Sequence, residues 1–383
     1  MNGKTIFKCV YLSKKLLLRH RILQCCAIFT FKPLLLLIFD TISLISMKKS
    51  FFSRRIFIKN TALSTLAFSF INPESVSAKS ASVGKRVGII GLDTSPSTAF
   101  TKVLNAPDAS SDFLGYKIVA AYPHGSKDIE SSTKRIPSYT EEVKKLNVEI
   151  VDSIESLLEK VDVVLLETND GRRHLEQLLP VLKAGKRVFI DKPIAASLSD
   201  VLTIFETAKK YQMPLFSASS LRHIKGVEKV DKTKVVGADT FSPAVLEKTH
   251  PDLFWYGIHG VETLYTVMGT GCKQVTRINN EGTDIVVGTW ADGRVGTFRG
   301  TRTGKHDYGG TVYTQNGNIV LGPYGGYEPL LKDIVAYFET GQVPVTPEET
   351  IEIFAFMEAA DESKRQGGVP VTLESVLKKA RKS

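Results

Sequence analysis

Cysteine is nearly missing from most of this 383-residue chain. Of four cysteines, Cys9, Cys25 and Cys26 lie close to the N-terminus, and only Cys272 falls after residue 78. No disulfide can therefore close within residues 79–383, and no cysteine-based zinc site can form there; no metal centre is expected. Net charge is also missing where the formal value of +10 suggests it. Residues 1–78 hold 12 of the 50 lysines and arginines against two acidic residues, Asp40 and Glu74, whereas residues 79–383 carry 38 basic and 38 acidic groups. A neutral body lacks the basic footprint that a phosphate backbone demands, so no nucleic-acid partner is expected. Long apolar runs are lacking too. The run in KPLLLLIFDTISLI falls short of the roughly 20 residues that a spanning helix needs.

What the first 78 residues do contain reads as an export signal. SRRIFIK (53–59) sets Arg54 and Arg55 before the moderately apolar TALSTLAFSFI, and SVSA follows with small residues suited to cleavage near Ala78. The pattern resembles a bacterial twin-arginine signal; an accidental arginine pair is the alternative. Residues 1–46 fit such a signal poorly, and Met47 opens a well-formed one, MKKSFFSRRIFIK. The expectation is a start at Met47, a signal over 47–78 handed to the twin-arginine export machinery, and a periplasmic mature protein.

The body divides at about residue 222. Its first part alternates apolar runs with helical spacing. RVGII, YKIVAAY, VDVVLLET, RVFID and MPLFSAS read as strands, separated by amphipathic segments such as RHLEQLLPVLKAG, which stops at Gly185. Continuous rather than alternating apolar strands predict an α/β fold with a parallel sheet covered on both faces, a doubly wound Rossmann domain over 84–222 whose ligand lies at the C-terminal strand ends. From Gln274 to Leu321 alternating strands and turns predict a largely antiparallel open sheet. This second, C-terminal α/β domain spans 223–383, and its open sheet makes a homo-oligomer an expectation.

Glycine is scarce at the turn where a dinucleotide fold needs it. VGIIGLDTSPSTAF (87–100) keeps only Gly88 and Gly91. Gly91, Leu92, Asp93, Thr94 and Ser95 are the candidate cofactor contacts. The hydroxyls can donate to phosphate, Asp93 repels it, and either Asp93 or Ser95 can instead cap a helix beginning at Ser97. No carboxylate stands at the end of the second strand before Asp128. Ser126 and Lys127 there either meet a 2′-phosphate, favouring NADP over NAD, or form a solvated loop. Thr168, Asn169 and His174 follow the strand VDVVLLET and are placed in the cofactor cleft; His174 can equally be a surface residue at a helix start.

FIDKPIAAS (189–197) is the sharpest signal. Asp191-Lys192-Pro193 ends a buried strand, so Lys192 projects at the ligand edge, where a partly desolvated ammonium beside Asp191 is suited to acid/base work; a structural ion pair is the alternative. In DLFWYGIHGVETLYTVMG, Tyr256, His259 and Glu262 share one helix face. His259 is assigned to proton relay and Tyr256 to orientation, against the alternative of a buried core histidine. Tyr308, Tyr324 and Tyr327, in glycine-rich loops, are further pocket candidates.

Together these pieces resemble the glucose–fructose oxidoreductase/inositol dehydrogenase/MocA (Gfo/Idh/MocA) family, over about Lys85 to Leu373. The family's Glu-Lys-Pro motif matches Asp191-Lys192-Pro193. Its Asp-x-Gly-x-His matches His259 with Gly257 in register, but Trp255 stands where the Asp belongs. YGIHG is also similar to the Tyr-x-x-His-Gly stretch of the family's NAD-dependent N-acetylgalactosaminidases. The resemblance implies an NAD(P)-dependent oxidoreductase acting on a CH–OH group of a small sugar or polyol, with Lys192 contacting both nicotinamide and substrate. Two departures, the broken glycine fingerprint and the missing ribose carboxylate, fall in the adenosine half of the site. They leave two alternatives open: non-redox glycoside cleavage with tightly held NAD, and a periplasmic carbohydrate-binding protein without catalysis.

Overall fold

The computed structural model describes residues 85–305 and 307–382. The signal with Arg54, Arg55 and Ala78, and the start at Met47, lie outside the described residues.

Six parallel strands form the first sheet: β1 (Arg86–Ile90), β2 (Lys117–Tyr122), β3 (Glu149–Ile150), β4 (Val163–Leu166), β5 (Arg187–Asp191) and β6 (Phe216–Ala218). Their order is β3-β2-β1-β4-β5-β6, the doubly wound arrangement, so the winding reverses between β1 and β4 and opens a crevice at their C-terminal ends. All of β4 is buried, which is why its sequence shows no alternation. The helices between are α1 (Ser95–Asn105), α2 (Glu130–Lys144), α3 (Ile154–Lys160), α4 (His174–Lys183) and α5 (Leu198–Lys210). α5 starts from the side-chain cap of Ser197, whose Oγ accepts from Asp200 N. α1 begins at Ser95, two residues before the expected Ser97. Its N-cap is Thr94, without a side-chain cap bond, so neither Asp93 nor Ser95 caps it.

The second sheet is β7 (Val235–Pro243), β8 (Cys272–Asn279), β9 (Thr283–Trp290), β10 (Val295–Thr301), β11 (Gly309–Thr314), β12 (Gly317–Leu321) and β13 (Val371–Thr372). Its order is β12-β11-β7-β10-β9-β8-β13, antiparallel except where β7 meets β10. One face carries α6 (Asp252–Trp255), α7 (Ile258–Met268) and α9 (Pro347–Arg365); α10 (Leu373–Ala380) closes the chain. α7 is buried along its whole length. It can lie this close because Gly260 faces the ring of Phe298, where a Cβ would stand at 2.3 Å. Arg277, fully buried on β8, donates to Asp284 at 2.9 Å, to Asp252 at 2.9 Å and to Asp361, fixing α6 and α9 against the sheet.

α8 (Glu328–Thr340) does not join that second layer. Its Leu330, Leu331, Ile334, Tyr337 and Phe338 share one apolar core with Val87, Phe100, Phe189 and Phe216. Tyr337 OH donates to Pro214 O at 2.6 Å, and Arg187 donates to Phe338 O and Glu339 O. The chain thus returns to cover the first sheet after leaving it.

Candidate active site

The β1–α1 turn keeps one obligatory glycine. Gly91 has φ +90°, and a Cβ there would sit 2.6 Å from Thr168 N and Cα. Its N–H donates to Tyr122 O at 2.8 Å, and Leu92 N–H donates to Pro123 O at 3.1 Å. Leu92 itself is a core residue. Neither N–H is therefore free to reach a phosphate. Asp93 turns inward: Oδ1 accepts from Asn169 N at 3.0 Å and Oδ2 from Ser126 N at 3.3 Å. Burial pushes its pKa up while those N–H groups pull it down. Gly125 makes room for it, since a Cβ there would meet Asp93 Oδ2 at 2.0 Å. The Asp93 carboxylate is thus a brace between three loops and is turned away from the crevice. Ser126 is committed as well, its Oγ donating to Asp128 at 2.8 Å, which leaves Lys127 exposed beside it.

His174 is fully buried and braces strand ends. Its two ring nitrogens lie 3.0 Å from Ile194 O and 2.7 Å from Thr168 O. Thr168 is likewise buried beneath Gly91. Of the sequence candidates, Gly91, Leu92, Asp93, Thr168 and His174 shape the crevice from behind.

Thr94, Ser95, Asn169, Asp191, Lys192, Tyr256 and His259 line one cavity of about 300 Å³. Thr94 and Ser95 bring the N-terminus of α1 to it, where free N–H groups and the helix dipole favour an anion. Lys192 Nζ lies 3.7 Å from Asp191 Oδ2, and both side chains are largely buried. Burial raises the pKa of Asp191, and burial together with Asp191 holds that of neighbouring Glu167 well above the carboxylate range. Glu167 Oε2 accepts from Thr94 Oγ1 at 3.2 Å.

His259 enters from α7. Its Nδ1 lies 2.6 Å from Ser219 Oγ, and its ring meets Tyr256 edge-on at 5.1 Å between centroids. Burial and the Lys192 charge hold its pKa well below the usual histidine value. One turn on, Glu262 Oε2 accepts from Ser219 N at 2.8 Å and stands 3.7 Å from Arg222; burial lifts its pKa to about 7. The remaining wall is aromatic. Trp255, Tyr308, Tyr324 and Tyr327 all face the cavity, and Tyr324 OH pairs with Ser220 Oγ at 2.8 Å.

Sequence reading missed four polar contributors, Ser131 at the start of α2 among them. Ser219 and Ser220 follow β6, and their position at a strand's C-terminal end was the one signal they carried. Arg135 lines the cavity from α2 and donates to Asp93 O at 3.2 Å; mid-helix, it carried no signal.

A dinucleotide fits this arrangement on the nicotinamide side. Asp191 Oδ2 is buried without a hydrogen-bond partner, an acceptor left over for a bound donor. Lys192 and Asn169 flank it, and the α1 N-terminus stands ready for a phosphate.

Residues 85–219 match the family model GFO_IDH_MocA, described as the oxidoreductase family, NAD-binding Rossmann fold. The first sheet and its helices thus form a Rossmann fold similar to the NAD-binding domain of these oxidoreductases. No curated protein matches the chain. Solved structures extend the likeness to the second domain. A probable dehydrogenase from Thermotoga maritima is 20% identical with a TM-score of 0.61, covering 76% of this chain and 99% of that one. The scyllo-inositol dehydrogenase of Lactobacillus casei, solved with NAD(H) and scyllo-inositol, is 15% identical with a TM-score of 0.60, over 76% and 99%. The myo-inositol dehydrogenase of the same organism, solved with NAD(H) and myo-inositol, is 16% identical with a TM-score of 0.59, over 75% and 96%. At these identities the likeness is one of fold, and it spans both sheets.

Proposed function

We propose that the whole chain is an exported NAD(P)-dependent oxidoreductase of this family, oxidising a CH–OH group of a sugar or polyol derivative. One observation carries the reading: Lys192, His259 and Tyr256 converge on a cavity at the C-terminal edge of an NAD-binding sheet, beside an aromatic wall. Bound in the crevice, the nicotinamide supplies the hydride acceptor. The chain's own residues do the rest. Lys192 Nζ, acting as the free amine, hydrogen-bonds the hydroxyl and accepts its proton, and Asp191 holds the ammonium so formed. Tyr308, Tyr324 and Trp255 offer the flat faces on which the apolar side of a sugar ring packs, and they exclude water. The two inositol dehydrogenases bind polyols of this kind, which supports the substrate class.

The test is direct. Purified protein is examined for bound dinucleotide by absorbance and mass spectrometry, then assayed on inositols and hexose derivatives with NAD or NADP. Reduction of the cofactor in proportion to product supports the reading. Absence of dinucleotide, with sugar binding unaffected by Lys192→Ala, replaces it with a binding protein. Glycoside turnover without added NAD(P) replaces it with non-redox cleavage.

Export by the twin-arginine route and release near Ala78 complete the proposal; N-terminal sequencing of mature and precursor forms checks both. A homo-oligomer is proposed through the uncovered face of the second sheet, where Phe241, Ile278, Tyr313 and Val320 stand exposed.

A further inference from the structure

The contact between Ser219 and His259 has a direction that can be worked out by counting protons. A serine hydroxyl has one hydrogen to give and two lone pairs to receive. Ser219 Oγ accepts from Leu221 N at 3.1 Å, which uses one lone pair. Its only other partner among the described residues is His259 Nδ1, at 2.6 Å. Ser219 is 1% exposed, so water does not stand in. Were Nδ1–H to donate to Oγ, the serine proton would be left buried without an acceptor, a cost of about 1–3 kcal/mol.

We infer that Ser219 donates to Nδ1 and holds His259 in the Nε2–H tautomer, so that the histidine presents an N–H donor, and not a lone pair, to the cavity. Nε2 has no partner among the described residues, and His259 lines the cavity. The ring is neutral at rest, because burial and Lys192 both disfavour its charge. The titratable groups facing it are Lys192, Tyr256 and Tyr308. Glu262 grips the Ser219 backbone from the next turn of α7, so one helix turn sets both ends of the device.

A carboxylate partner would do the opposite. It accepts from Nδ1–H and leaves Nε2 as a base. Here Trp255 stands at the position where the resemblance places the Asp, and its ring packs against His250 at 4.9 Å between centroids. The neutral His259 therefore steadies the substrate oxygen by donation, and proton removal falls to Lys192. That role toward substrate rests on the proposed function; the tautomer does not.

The experiment is a long-range ¹H–¹⁵N correlation spectrum of the full-length protein with labelled histidine, the His259 signals being identified by their loss in His259→Gln. The expected pattern is Nε2–H with an unprotonated Nδ1. Ser219→Thr, which keeps the hydroxyl, should preserve it. Ser219→Asp should switch it to Nδ1–H. A wild-type Nδ1–H pattern, or one unmoved by Ser219→Asp in a folded variant, overturns the inference. Because the spectrum needs neither cofactor nor turnover, a protein that fails as an oxidoreductase can still pass or fail here.

Discussion

Gly91 and Thr168 press backbone against backbone behind the crevice, so closely that a Cβ on Gly91 would lie 2.4 Å from Thr168 Oγ1 and 2.6 Å from Thr168 Cα. Gly91→Ala adds that clash to an unfavourable φ of +90°. The expected loss is about 3 kcal/mol or more of folding stability, read as a lowered urea midpoint. An alanine variant as stable as wild type would mean that the turn is looser than it stands here.

Lys192→Ala should cut kcat by about 10²- to 10⁴-fold, the range for loss of a general acid or base. Lys192→Arg should not restore it, since a guanidinium stays charged and has a different shape. Nucleotide affinity, followed by fluorescence titration, should change far less than kcat. Equal losses in both would make Lys192 a binding residue only.

The aromatic wall should act on substrate affinity. Tyr308→Ala removes one face, worth about 0.5–1.5 kcal/mol, so KM for a sugar should rise by up to roughly tenfold at nearly constant kcat. Tyr324→Phe removes only the hydroxyl that pairs with Ser220 at 2.8 Å and should have a smaller effect on the same axis. Steady-state kinetics on both variants separate packing from hydrogen bonding.

Glu262 sets a pH dependence of stability. Burial raises its pKa from the ordinary 4.5 to about 7 in the fold. Between those values the folded chain binds a proton that the unfolded chain does not. Its contribution is therefore fully present below about pH 4.5 and is lost as pH rises through 7. Unfolding free energies from urea titrations at pH 5 and pH 8 should differ less in Glu262→Gln than in wild type, by on the order of 2 kcal/mol. Identical slopes would place the Glu262 pKa at its ordinary value.

Phe241, on β7, and Val320, on β12, point away from the core and are 39% and 73% exposed. Replacing both with lysine should leave the fold intact and reduce the mass seen by light scattering to that of one chain. An unchanged mass would move the interface elsewhere.

Much of the first sheet was legible because buried parallel strands leave continuous apolar runs. The pattern failed where elements are too short to have one: β3 and β13 are two residues each. Asp191-Lys192 was readable because two charges closing a buried apolar strand must meet each other, a polar neighbour or a ligand. Asp93 was not. Sequence places a carboxylate in a phosphate turn, but only the neighbouring loops show it folded inward onto Asn169 and Ser126. Tyr308, Tyr324 and Tyr327 were suggested by their loops alone, and Tyr327 reaches Tyr324 where α8 doubles back onto the first sheet.

That return of the chain governs how the protein can be made and cut. A ribosome that has finished residue 222 has synthesised every strand of the nucleotide domain, yet the part of one face over β5 and β6 stays bare until the helix ending at Thr340 emerges. The segment that binds the cofactor is thus completed late in synthesis. Removing the tail to isolate a small nucleotide-binding fragment would strip Leu331, Ile334 and Phe338 from that sheet and leave an adhesive apolar surface behind.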